Sequence, residues 1–107
     1  MTHSYIGTKT TIGGQTVTRH EADGNDVPLD PKRSQKIWNH SPDGFQWGYG
    51  GSGPAQLALA ILLDVTNDEG RSVGLHQQFK WDIIAQLPDS FVLTVDDINT
   101  WLTSHFF

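Results

Sequence analysis

Residues 45–64 constrain this chain more than any other stretch. Phe45, Trp47 and Tyr49 alternate with Gln46, Gly48 and Gly50, and a period of two is that of a strand with one aromatic face. Gly50, Gly51 and Gly53 then surround Ser52, and Pro54 opens an apolar run of helical length. Proline suits a first helical position, where its fixed φ fits and its missing N–H is no loss. The spacing therefore predicts a strand over 45–49, a glycine loop, and a helix over 54–65. Leu57, Leu59, Ile61, Leu62, Leu63 and Val65, with alanines 55, 58 and 60 between them, make that helix apolar nearly all round. Such a helix is a buried one.

This junction has a chemical consequence. The first turn of a helix leaves backbone N–H groups unpaired and partly positive. Glycines without a Cβ let a ligand approach the main chain, and a phosphate or carboxylate is the natural guest. The same glycines equally suit a tight turn that binds nothing. No Lys-Ser or Lys-Thr follows them, which excludes a Walker loop, and Gly50-Gly51-Ser52-Gly53-Pro54 lacks the second glycine of a nucleophile elbow. Gly48, Gly50 and Gly53 satisfy G-x-G-x-x-G, but no βαβ unit accompanies them. Ser52 or Gly53 reads as the helix N-cap. The candidate ligand-binding set is Gly50, Gly51, Ser52, Gly53 and Gln56 at the loop and helix start, Trp47 or Tyr49 to stack on a planar base, and His40. His40 stands at the end of a strand expected over 35–40, which the turn Ser41-Pro42-Asp43-Gly44 would pair with residues 45–49.

Elsewhere the pattern predicts strands over 4–11 and 15–20 joined at Gly13-Gly14, a surface loop over 21–33, and a helix over 71–86 stopped by Pro88. A short strand over 90–93 follows. A last helix is opened in capping-box manner by Thr94-Val95-Asp96-Asp97, with Ile98, Trp101 and Leu102 as its buried side. The expected fold is α+β, an antiparallel or mixed sheet of about five strands with three helices, in one domain over 1–107. The 107 residues include no cysteine, which removes disulfides, thiolate metal sites and Cys nucleophiles together. Five histidines are present, none at a metal-binding interval, so neither a metal nor a cofactor is expected. A net charge of −5 argues against duplex nucleic acid as partner. The start Met1-Thr2-His3-Ser4 has no basic, apolar leader and no run is long enough to span a membrane, so a cytoplasmic protein is expected.

From Tyr5 to Trp101 the chain resembles a family of small uncharacterised phage and prokaryotic domains. The resemblance is carried by Asn39-His40-Ser41-Pro42 and by the block running from Phe45 through Trp47-Gly48-Tyr49-Gly50-Gly51-Ser52-Gly53-Pro54-Ala55-Gln56 to Ala58. Residues 50–57, and the order of Leu87-Pro88 and Leu93-Thr94-Val95-Asp96-Asp97, are also similar in layout to viral ring nucleases, which destroy cyclic nucleotide alarm signals of type III CRISPR defence. That second resemblance implies a mixed sheet with flanking helices, a dimer, and a ligand held across it. Gly51 stands where that family's block has its catalytic histidine, so the resemblance implies a retained phosphate-binding helix start without cleavage. The expected function is a phage counter-defence protein in the host cytoplasm that sequesters a nucleotide-type immune signal. Two alternatives stand beside it: an inhibitor docking on a host defence protein, and nucleotide hydrolysis by His40.

Overall fold

A computed structural model describes residues 3–10 and 14–105. Its elements run β1 (Ser4–Thr10), β2 (Gly14–His20), β3 (Asp26–Pro28), α1 (Lys32–Ile37), α2 (Ser52–Thr66), α3 (Glu69–Asp82), a 3-10 turn (Ile84–Gln86), β4 (Phe91–Thr94) and α4 (Val95–Ser104). The chain is thus α+β, with a four-stranded sheet and four α-helices among the described residues. Chain contacts divide it into two compact units, Met1–Leu29 with Ser90–Phe107, and Asp30–Asp89.

The first unit holds the sheet, in the order β3-β2-β1-β4 with every pair antiparallel. The expected hairpin is there, Ser4 opposite His20 and Thr10 opposite Gly14. Gly14 is the first residue of β2, and the rest of the expected Gly13-Gly14 turn lies outside the described residues. Asp23 and Gly24 close a tight turn, Gly24 at φ +91° and its N–H donating to the Glu21 carbonyl at 3.0 Å. That turn brings Asp26–Pro28 back as an edge strand where a loop was expected; Pro28, unable to donate to the ladder, is its last residue. β4 and α4 form as expected, and the Thr94 side chain accepts from the Asp97 N–H at 3.1 Å. Tyr5, Val17, Phe91, Leu93, Ile98, Trp101 and Leu102 are buried.

The second unit is helical, and here two expected strands are absent. Residues 32–37 form α1 because Asp30 and Pro31 start a helix: the Asp30 carboxylate accepts from the Lys32 N–H at 2.9 Å, and the Pro31 carbonyl accepts from Ser34 Oγ at 2.8 Å and Gln35 N at 3.0 Å. The turn at 41–44 does form, the Gly44 N–H donating to the Ser41 carbonyl at 3.4 Å. Residues 45–49 are not a strand. Gly44 at φ +111° and Gly48 at φ +87° are left-handed positions that break an extended run, and with residues 32–37 helical no partner strand faces them. α2 is buried without interruption from Gly53 to Leu63, as its composition requires. At about 1.5–3 kcal/mol for each fully buried aliphatic side chain, it is the core of this unit. Asn67 in the left-handed region ends α2, and the Asp68 side chain caps α3 by accepting from the Arg71 N–H at 3.0 Å.

Candidate functional site

Gln56, on the second turn of α2, is wholly buried and uses its amide fully. Its Oε1 accepts from the His40 N–H at 2.7 Å and the Ser41 N–H at 2.9 Å. Its Nε2 donates to Ser34 Oγ at 2.8 Å and the Trp38 carbonyl at 3.2 Å. A buried amide is costly unless paired; here the pairing pins the chain that leaves α1. Sequence reasoning put Gln56 and His40 in one site, and the structure joins them, with Gln56 as the group that fixes His40's backbone.

The His40 ring, so placed, meets a histidine that the sequence reading left aside. His40 Nε2 lies 2.9 Å from His76 Nε2. Trp38 stacks on His40 at 4.5 Å between centroids and 25° between planes, and meets His76 edge-on at 5.3 Å. His76 is wholly buried on α3. The signal for it was present: Ser72, Leu75, His76 and Phe79 follow the three-and-four spacing of an inward helix stripe, and Lys80 continues it. Leu75 and Phe79 reveal the stripe; the histidine and lysine sharing it are what need explanation.

Both imidazoles are held below their ordinary pKa of 6.5. For His40 the causes are burial, then the adjacent His76, then the Lys80 charge. For His76 burial leads, opposed by its bond to the Val73 carbonyl and reinforced by Lys80. The pair is therefore neutral at neutral pH.

Lys80 stands one turn further along the same stripe. It is 8% exposed, and among the described residues no carboxylate lies within 4.0 Å of its ammonium. Its Nζ sits 4.3 Å from the centroid of the Trp81 ring, a cation–π contact. Trp81 also touches the glycine loop, because a Cβ at Gly50 would fall 2.1 Å from its ring. One indole thus meets both Lys80 and the loop.

The glycine loop has a packing role as well. A Cβ at Gly51 would lie 2.6 Å from the Tyr49 ring, and one at Gly53 would lie 2.6 Å from Gln46 Cβ and 3.2 Å from its backbone nitrogen. The glycines let two rings and the Gln46 segment lie on the main chain. Gly51 is the N-cap of α2 and offers no side-chain cap, and Ser52 is exposed at the helix start. Gly53 is buried. Trp47 is wholly buried, its indole N–H donating to the Pro88 carbonyl at 2.9 Å; of the two rings expected to stack on a base, Tyr49 is the one on the surface. Trp38, Tyr49 and Trp81 are 48%, 51% and 53% exposed, which makes three large aromatics on one unit available to a partner. No group of three or more metal-ligating side chains occurs among the described residues, nor a helix long and apolar enough to cross a membrane.

The Asp30–Asp89 unit thus presents three half-exposed aromatics, with His40 packed on Trp38 and Lys80 on Trp81. Over residues 5–104 the chain matches a family of unknown function, DUF6166, and it belongs to that family. No curated protein and no solved structure matches it.

Proposed function

We propose that the Asp30–Asp89 unit binds a small anionic, ring-bearing ligand of nucleotide type, beside Lys80 and the loop at residues 50–53. One observation carries the reading: the Lys80 stem is buried, and among the described residues no carboxylate lies within 4.0 Å of its ammonium. A lysine whose stem is covered keeps its ammonium in water, and an anion arriving from solvent would meet it there. The Ser52 and Gly53 amides at the start of α2 add donors of the same polarity. Trp38 and Tyr49 supply exposed faces for a base, and His40 a neutral polar edge.

The reading of this ligand as an immune signal, and of the protein as a phage-borne sequestering agent, rests on the resemblance of residues 50–57 and 87–97 to viral ring nucleases. With Gly51 in the place of that block's histidine, binding without cleavage is the reading favoured. A second reading, docking on a host defence protein, draws on the three exposed aromatics, a residue class that anchors interfaces.

A thermal-shift panel of mono-, di- and cyclic nucleotides and ADP-ribose tests the first reading, since a ligand held only by the folded chain raises the melting temperature. The expected result is a rise with one nucleotide class, lost in Lys80→Met, which keeps most of the buried stem, and in Gly51→Glu, which puts a carboxylate at the helix start. A flat panel in the wild-type protein, with circular dichroism showing it folded, would remove the nucleotide reading.

A further inference from the structure

The hydrogen bonds around His76 determine where the protons of both imidazoles sit. His76 Nδ1 lies 2.7 Å from the Val73 carbonyl oxygen. A carbonyl only accepts, so His76 carries its proton on Nδ1. Its Nε2 is then a lone pair in the neutral ring, and His40 Nε2, 2.9 Å away, must be the donor. The Gln77 amide nitrogen, 3.4 Å from the same His76 Nε2, is a second donor aimed at that lone pair. With its one proton committed to Nε2, neutral His40 carries a lone pair on Nδ1. No group among the described residues bonds to that atom. The chain of donation runs in one direction, from His40 to His76 to the Val73 carbonyl, and leaves at its open end a nitrogen that accepts but does not donate.

That polarity selects. A phosphate oxygen presents only lone pairs and is repelled by Nδ1, whereas a hydroxyl donates to it. Lys80, a few residues along the same helix, has the opposite preference. We propose that His40 Nδ1 is an acceptor for a ribose hydroxyl, with His76 the positioning residue that fixes its tautomer, so that the site takes ribonucleotides in preference to their deoxy counterparts. This rests on the nucleotide reading above and deepens it: Lys80 explains the anion, and the histidine pair explains the sugar.

Two measurements on the full chain decide it. Long-range 1H–15N correlation on protein with labelled histidines, at neutral pH and without ligand, reports both tautomers. The expected spectrum shows His76 protonated on Nδ1 and His40 on Nε2; a proton on His40 Nδ1 overturns the proposal whatever the protein binds. The second measurement is calorimetric titration with adenosine 5′-monophosphate and its 2′-deoxy and 2′,3′-dideoxy analogues as probes. Wild-type protein is expected to lose about tenfold in affinity or more across the series, the scale of one hydrogen bond lost with its partner left unpaired. His40→Phe, which keeps a ring against Trp38 and the backbone bonds to Gln56, is expected to bind all three about equally. His76→Phe is expected to narrow the discrimination with His40 still present. Equal binding of the three probes by wild-type protein, or undiminished discrimination in His40→Phe, refutes the ribose assignment and leaves the nucleotide reading intact. Absence of binding by all three, together with a flat thermal-shift panel, defeats both.

Discussion

The two units of this molecule handle polar groups in opposite ways. In the sheet unit the charged groups stay at the surface, as in the pairs of Arg19 with Glu21 and His20 with Asp26, all at least a quarter exposed. In the Asp30–Asp89 unit Ser34, Gln56, Ser72, His76 and Lys80 are all buried, and no side chain of the sheet unit joins them among the buried polar groups described. Burial of polar groups costs stability unless each finds a partner. Gln56 has found four, and among the described residues no carboxylate lies within 4.0 Å of the Lys80 ammonium. The lesson is that one unit keeps its charges at the surface, while the other buries polar side chains beside the site proposed for a ligand.

The largest effect that would break this contrast is on Gln56. Gln56→Leu is expected to cost about 2–3 kcal/mol, because it strands the Ser41 amide and takes one of two partners from the His40 amide, the Ser34 hydroxyl and the Trp38 carbonyl; urea unfolding measures it. A cost under about 1 kcal/mol would mean that the segment holds its place without that amide. Gly53→Ala comes next, at about 1–3 kcal/mol, since its methyl would meet Gln46 backbone at 3.2 Å as well as side chain. Gly74→Ala on α3, where nothing lies within 4 Å of the added atom, is expected to stabilise by about 0.5–1 kcal/mol. Its opposite sign separates glycines that hold the loop from one that merely weakens a helix.

The histidine pair sharpens the contrast through pH. Both rings titrate lower in the folded chain than their ordinary value, so the unfolded chain binds more protons between that value and the folded ones. Stability then rises with pH across this interval. It is fully present above about pH 6.5 and declines as pH falls below it. Chemical denaturation from pH 7.5 downward should show that decline, flattened in His76→Phe. The smallest expected effect is in the sheet unit: Glu21→Gln, which removes an exposed ion pair, should change stability by about 0.5 kcal/mol or less.

The fold was readable where one residue pattern had one meaning. α2 is apolar on every side and is buried on every side. Thr94 followed by Asp97 announces a cap and makes one. The aromatic alternation at 45–49 had two meanings, and Gly44 and Gly48 decide between them by turning the chain twice at positive φ. Asp30-Pro31 looked like more loop after residues 21–29, although an acid followed by proline is also how a helix begins. In the site, His40 and Gln56 were legible and their connection was not, because it spans separate elements. His76 and Lys80 stood in plain view beside Leu75 and Phe79. Their meaning depends on what lies across from that stripe, which only the folded chain supplies.

The central claim is that the ligand chemistry proposed for the chain belongs to the Asp30–Asp89 unit, around Lys80. The most direct test is an amide chemical-shift map of the whole chain during titration with whichever nucleotide raises the melting temperature most. Perturbations centred on residues 38–41, 50–53 and 76–81, and absent in Lys80→Met, are the predicted result. Shifts centred on β1, β2 and β3, or a map unchanged by the loss of Lys80, would contradict it.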